Sequence, residues 1–385
     1  MKILFARFAA AVLTLSLSFS AAFAQTLPPP TVAAKSWLLQ DVTSGQTLAA
    51  DNADMRIEPA SLVKLMTAYL AFEALKDKKV TLDQMIQVSE RAWKVDRSSS
   101  KMFIEPRVPV SFGDLLYGVI VQSGNDASVA VAEAVAGTED AFVALMNREA
   151  QRMGMKSSHF ANAHGLPSPD NYSTAHDLGI LATRLIADHP DSYKMYSTKS
   201  FTYNKITQQN RNRLLWLDPT VDGIKTGHTQ ASGYSLVASA KRPNGSGERR
   251  MISVVLGTNS DQQRAQESQK LLNWGFQNFD TIKLYAKGAP VATPEIWKGT
   301  QNQIKLGFNH DVFVTVPRGT ADKMKPVLER RDPLVAPVAA NSQVGMLKMV
   351  ADGKTLAEFP LLALEQVGQA SIFGRAWDSI RLWLK

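Results

Sequence analysis

Ser61-Leu62-Val63-Lys64, Ser123-Gly124-Asn125 and Lys225-Thr226-Gly227 occur in that order along the chain. The first supplies a hydroxyl with an amine beside it. The second adds another hydroxyl and an amide, and the third a cation next to a residue without a side chain. Each is weak evidence alone. Together they are a set of parts for acyl transfer through a serine ester.

Ser61 and Lys64 stand three residues apart, which on a helix puts both side chains on one face. A helix N-terminus favours negative charge developing on the serine oxygen. The amine takes the serine proton if burial or positive neighbours lower its own pKa. The same spacing also describes a capping serine followed by a solvated lysine, the commoner use of the pattern. Ser123 could relay a proton to a leaving group, and the Asn125 amide could hold a substrate carbonyl or fix a lysine. Equally, Ser, Gly and Asn form turns at helix breaks. Lys225 could bind a carboxylate and depress the pKa of Lys64, while Gly227 lets a ligand approach the backbone. The N–H groups of Ser61 and His228 could together hold an oxyanion. By pattern, Lys225-Thr226-Gly227-His228 precedes a strand, and an exposed strand entry is the plain alternative. Arg264 offers a planar fork for a carboxylate, or is a surface arginine. The six histidines show neither H-E-x-x-H nor paired spacing, so neither a metal site nor a cofactor is expected. His164, His176 and His228 read as structural.

Several elements must position these groups. Trp37 to Val42 and Gln46 to Ala49 flank Thr43-Ser44-Gly45 as a hairpin. Leu62, Leu65, Met66, Tyr69, Leu70, Phe72 and Leu75 repeat at helical spacing after Glu58-Pro59. Ser111 to Met153 is Ala-rich and helical in pattern, broken near Ser123 and Gly137. Gly154 to Asn171 reads as loop, and Thr174 to Ala187 as a helix capped by Thr174 or Ser173. Tyr234 to Ala240 and Met251 to Gly257 alternate as strands around Pro243-Asn244-Gly245-Ser246-Gly247. Glu267 to Phe279 is an amphipathic helix. One antiparallel sheet built from both ends of this region, with a helical insertion, satisfies the order.

After about Lys287 short β-like runs take over at Ile304 to Leu306, Val312 to Val316, Val344 to Val350 and Leu356 to Phe359, with a turn at Asp352-Gly353. They predict a small all-β domain without catalytic groups. In the closing segment Phe373, Trp377, Ile380 and Leu384 share one helical face, three basic residues oppose one acid, and Trp377 and Trp383 add aromatic bulk. That pattern predicts an interfacial helix on anionic lipid; a terminal helix docked on the body is the alternative.

The chain has 385 residues, is 45% hydrophobic and lacks cysteine, so a thiol nucleophile and disulfides are excluded. Met1-Lys2, Arg7, the apolar run from Phe8 to Phe23 and the ending Ala22-Phe23-Ala24 predict a signal peptide cleaved after Ala24. Its removal takes away Lys2 and Arg7 and no acid, so the formal charge of +8 becomes +6. A basic, exported chain suits an anionic surface, lipid or wall polymer, better than nucleic acid.

Taken together, the motifs resemble the penicillin-binding, active-site-serine family, in particular its low-molecular-mass D-alanyl-D-alanine carboxypeptidases of the membrane-associated branch. The resemblance extends through His164-Gly165-Leu166, Ser173-Thr174-Ala175-His176-Asp177, Ile206 to Asn212, Val221-Asp222-Gly223 and Lys270-Leu271-Leu272 with Trp274-Gly275. It implies an α+β fold: a β-lactamase/transpeptidase-like domain (25–286) of antiparallel sheet, flanking helices and helical insertion. A small β-rich domain (287–368) and an amphipathic helix (369–385) follow. It implies that Ser61 is acylated, Lys64 is its base, and Ser123 and Asn125 move protons and position the peptide. Lys225, Thr226 and Arg264 would receive the terminal carboxylate, with Gly227 and His228 beside them. The implied reaction removes the last D-alanine from peptidoglycan pentapeptide stems at the periplasmic face of the inner membrane, with β-lactams as inhibitors. Glu133, Glu139 and Glu149 are the glutamates between Ser123 and Lys225, and none has an Asn four residues later as a class A β-lactamase would. Slow release of penicillin is therefore expected. A β-lactamase or DD-endopeptidase on the same scaffold, and a non-catalytic wall-binding protein, are the competing readings.

Overall fold

The computed structural model of the protein describes residues 28–96, 98–244 and 247–384; the expected signal peptide lies outside them. Strands β1 (Ser36–Asp41) and β2 (Thr47–Asp51) form the expected N-terminal hairpin. Far along the chain, β3 (Val221–Thr229), β4 (Gly233–Asn244) and β5 (Gly247–Thr258) join them in one antiparallel sheet of order β2-β1-β5-β4-β3. The two ends of this region meet where β1 lies on β5, with Trp37 opposite Val255. Successive residues of β1 serve different cores: Leu38 packs with the helical insertion, Trp37 and Leu39 with the opposite layer. A sheet covered on both faces reads as nearly continuous apolar runs, as β4 and β5 do.

The insertion contributes α1 (Lys64–Lys76), α2 (Glu90–Lys94), α3 (Phe112–Tyr117), α4 (Asn125–Ala136), α5 (Glu139–Met153) and α6 (Ala175–Asp188). Thr174 caps α6 by accepting from the Asp177 N–H, as expected. α1 is buried almost all round, with Leu65, Met66, Ala68, Tyr69, Ala71 and Phe72 in the core, so it is a core helix. Its first turn differs from the expectation. Ala60–Val63 is a 3₁₀ turn, and the α-helix begins at Lys64. In 3₁₀ geometry side chains at i and i+3 eclipse, which sets Lys64 directly behind Ser61.

Helix α7 (Leu214–Leu217) precedes β3, and α8 (Asp261–Asn278) covers the far face of the sheet. α8 starts six residues before the expected Glu267. Its first two turns are polar and carry no apolar period, but Ser260 caps them by accepting from Gln263 N–H at 3.1 Å.

Beyond α8, β6 (Phe279–Tyr285) pairs with β7 (Val312–Pro317). A separate five-stranded sheet contains the hairpin Gln343–Ala351 and Lys354–Ala363, turned at Asp352-Gly353 with both φ positive. Ile304, Leu306, Phe308, Leu347, Leu361 and Val367 form its core. Edge strand Lys325–Arg330, mostly exposed and containing Pro326, has no apolar alternation to reveal it in the sequence. The closing helix α9 (Ile372–Trp383) follows the sheet. Ile372, Phe373, Trp377, Ile380, Trp383 and Leu384 are all exposed on it. Among the described residues no helix is long and apolar enough to cross a membrane.

Candidate active site

The three motifs converge on one cleft of about 820 Å³. Ser61 enters from the 3₁₀ turn. Lys64 Nζ donates to Ser61 Oγ at 3.1 Å, to Asn125 Oδ1 at 2.7 Å and to the His164 carbonyl. Lys64 is 1% exposed. Burial, then the charge of Arg211, hold its pKa down to about 7, against a smaller upward pull from Asp126.

Ser123 ends a widened helical turn, Gly118–Gln122, in the left-handed conformation with φ 58°. A left-handed non-glycine residue carries strain, and such residues gather at functional sites. The residue after next, Asn125, opens α4. The adjacent Asp126 carboxylate accepts from the N–H groups of Met102 and Phe103, both at 2.8 Å. That bond pair pins the start of α4, and so Asn125, against the neighbouring loop.

Lys225 Nζ donates to Ser123 Oγ at 2.9 Å. Lys225 is buried, and burial followed by the charges of Lys64, Arg211 and Arg264 pushes its pKa well below the usual lysine value. The motif does not precede a strand, as its pattern indicated: Lys225 to His228 lie inside the edge strand β3. Buried polar residues there erase the alternation that would mark a strand. Gly227 fits because a Cβ at that position would stand 2.9 Å from the Pro59 carbonyl oxygen. The turn that carries Ser61 and β3 therefore touch backbone to backbone.

His228 stacks on Tyr234 with ring centroids 3.9 Å apart. Arg264 lies over the Tyr234 ring, donates from Nη1 to the Gly227 carbonyl at 3.0 Å and from Nη2 to the Asp261 carboxylate. Both of its Nη groups thus hold protein oxygens and brace β3. Arg211 was not singled out as a site residue by sequence reasoning. It lies exposed at the rim and donates to Ser100 Oγ at 2.7 Å. Its only signal was the run Ile206 to Asn212, which carries no chemistry until folding sets it beside two lysines. His164 was read as structural; its backbone carbonyl, not its ring, touches Lys64. Among the described residues no three His, Asp or Glu side chains are grouped to hold a metal ion.

The chain that builds these two serine–lysine pairs is similar to known proteins along most of its length. Residues 23–260 match the family model described as D-alanyl-D-alanine carboxypeptidase, peptidase S11. The chain belongs to that family. It is a serine-type D-alanyl-D-alanine carboxypeptidase. Residues 279–369 match the C-terminal domain of penicillin-binding protein 5. The chain is 44% identical over 361 residues to the carboxypeptidase DacA of Haemophilus influenzae, covering 93% of this chain and 91% of that one. It is 42% identical over 364 residues to DacC of Escherichia coli, with 93% and 90% covered. The crystal structure of penicillin-binding protein 5 from Haemophilus influenzae superposes with a TM-score of 0.86 at 42% identity, over 89% of this chain and all of that one. This carboxypeptidase has the expected α+β architecture, with a transpeptidase-like domain, a β-rich domain and a closing helix.

Proposed function

We propose that Ser61 is the nucleophile and Lys64 its general base in removing the terminal D-alanine from peptidoglycan pentapeptide stems. The observation that carries this reading is the bonding of Lys64 Nζ. A neutral amine has two N–H donors and one lone pair. The Asn125 and His164 oxygens take both donors, so the lone pair faces Ser61 Oγ at 3.1 Å. With a pKa near 7 the amine is both available and basic enough to accept the proton.

Ser61 Oγ then bonds to the carbonyl carbon of the penultimate D-alanine as its proton passes to Lys64. The N–H groups of Ser61 and His228 hold the oxyanion. The C–N bond breaks, and the departing amine receives the proton from Lys64 through the Ser123 hydroxyl. Water attacks the ester, returns a proton to Ser61 Oγ and releases the shortened stem. Lys225, Thr226 and Arg211 receive the terminal carboxylate, with Arg264 holding β3 in place beside it. β-Lactams acylate the same serine. No glutamate of 133, 139 or 149 is offered to a deacylating water, so penicillin leaves slowly.

In this reading the segments 25–286, 287–368 and 369–385 divide the work into catalysis, spacing and attachment. The exposed apolar face of α9 lies on anionic lipid at the periplasmic face of the inner membrane. Mass spectrometry after a β-lactam incubation tests the assignment, with release of D-alanine from a diacyl-D-Ala-D-Ala peptide. An adduct on a peptide containing Ser61 is expected; an adduct elsewhere, or rapid turnover of benzylpenicillin, overturns it.

A further inference from the structure

The His164 carbonyl that accepts from Lys64 sits on a loop without regular structure, so something must hold it. Glu139, the first residue of α5 and 5% exposed, reaches that loop from outside the cleft. Its Oε1 accepts from the Ala163 N–H at 3.1 Å and faces His164 Nε2 at 3.4 Å. The Leu166 N–H donates to His164 Nδ1 at 3.1 Å, which leaves the ring proton on Nε2, pointing at Glu139. Glu139 Oε2 accepts from Arg91 twice, Nε at 3.1 Å and Nη2 at 2.6 Å. Two charge-assisted bonds on one oxygen hold the carboxylate in place. On its other side the loop meets the nucleophile turn, where a Cβ on Gly165 would lie 1.9 Å from the Ala60 carbonyl oxygen.

We infer that Arg91 and Glu139 are positioning residues for this reaction: they lock the His164 carbonyl and thereby aim the Lys64 lone pair at Ser61. Neither touches the cleft. Glu139 is committed to Arg91, Ala163 and His164, which also explains why it does not serve a deacylating water. The inference rests on Lys64 being the base.

The charged groups around this chain of contacts are Arg211, Asp126 and Lys225 near Lys64, and Asp140 and Glu133 near Arg91. None of them is altered by the test. Acylation by a fluorescent penicillin is followed against pH for the full chain with Glu139→Ala, Glu139→Gln and Arg91→Ala, beside thermal unfolding. A carbonyl acceptor favours the ammonium form, so its displacement lowers the Lys64 pKa further. Glu139→Ala is expected to lower the plateau rate at least about tenfold and to move the acid limb to lower pH. Glu139→Gln keeps an oxygen toward Ala163 and is expected to hold the limb in place. Arg91 is 61% exposed, so Arg91→Ala removes little packing and tests the idea if Glu139→Ala does not fold; a shift of the same sign is expected.

Wild-type acylation in both Ala variants overturns the inference. So does an equal limb shift in the Gln and Ala variants, which assigns the effect to charge rather than placement. A plateau that falls only with the folded fraction, limb unmoved, also overturns it. Absence of a Ser61 adduct in the unmutated protein is the separate failure of the mechanism itself.

Discussion

The hydroxyl of Ser123 accepts a hydrogen bond from Lys225 at 2.9 Å across 102 positions of sequence. The bond ties the helical insertion to the edge strand of the sheet, and it sets the second lysine within the field of the first. Removing the Lys225 amine removes both effects. Lys225→Ala is expected to lower the acylation rate by about 10³-fold, the scale of a major electrostatic partner. The rate of penicillin labelling measures it, and near-normal labelling contradicts the assigned role.

With Lys64 as the proposed base, its ionisation sets the pH dependence. Burial and Arg211 lower its pKa to about 7, and only a neutral amine accepts a proton. Acylation should therefore rise about tenfold per pH unit below that value and level off above it. A limb that stays near the ordinary lysine pKa in a pH–rate profile would refute the assignment.

Gly165 has φ 87°, and a Cβ there would lie 1.9 Å from the Ala60 carbonyl oxygen. Relief requires the loop and the Ser61 turn to separate. Gly165→Ala is expected to destabilise the fold by about 1–3 kcal/mol, the range for a strained backbone position, and to reduce acylation of the remaining folded protein. Thermal unfolding and labelling per folded molecule check the two effects separately.

Asp41 joins the catalytic sheet to strands β6 and β7. Fully buried at the end of β1, it accepts from Arg249 Nε at 2.6 Å, Thr281 Oγ1 at 2.6 Å and Thr315 Oγ1 at 3.0 Å. Thr281 lies on β6 and Thr315 on β7. Asp41→Ala leaves the Arg249 cation buried without its partner, a loss of about 3–5 kcal/mol for such pairs. A calorimetric scan should show a lower first transition; an unchanged transition temperature would rule out this joint.

Helix α9 presents six large apolar side chains to solvent. Asp378 accepts from the Lys298 N–H at 2.6 Å and Arg381 lies over the Trp297 ring, which hold the opposite face to the β-rich unit. Truncation after Ala370 is expected to abolish sedimentation with anionic vesicles while leaving acylation within about twofold, since the cleft is built elsewhere. Continued vesicle binding by the truncated chain would dismiss the anchor.

The order of the motifs, the hairpins β1–β2 and β4–β5 and the closing amphipathic helix were legible in the sequence. Local chemistry writes them: turn residues, caps and apolar periods need only neighbours. The placement of Lys225 within a strand was not legible, because its flanking polar residues are buried by a distant helix turn rather than by a local pattern. Arg264 as a strand brace, Arg211 beside two lysines and Glu139 behind His164 were equally hidden, since each depends on contacts between separate parts of the chain. The sequence determined which groups are available to the reaction. Only the tertiary structure decided their ionisation and aim, because burial, shared fields and a lone pair's direction exist only after distant segments have packed.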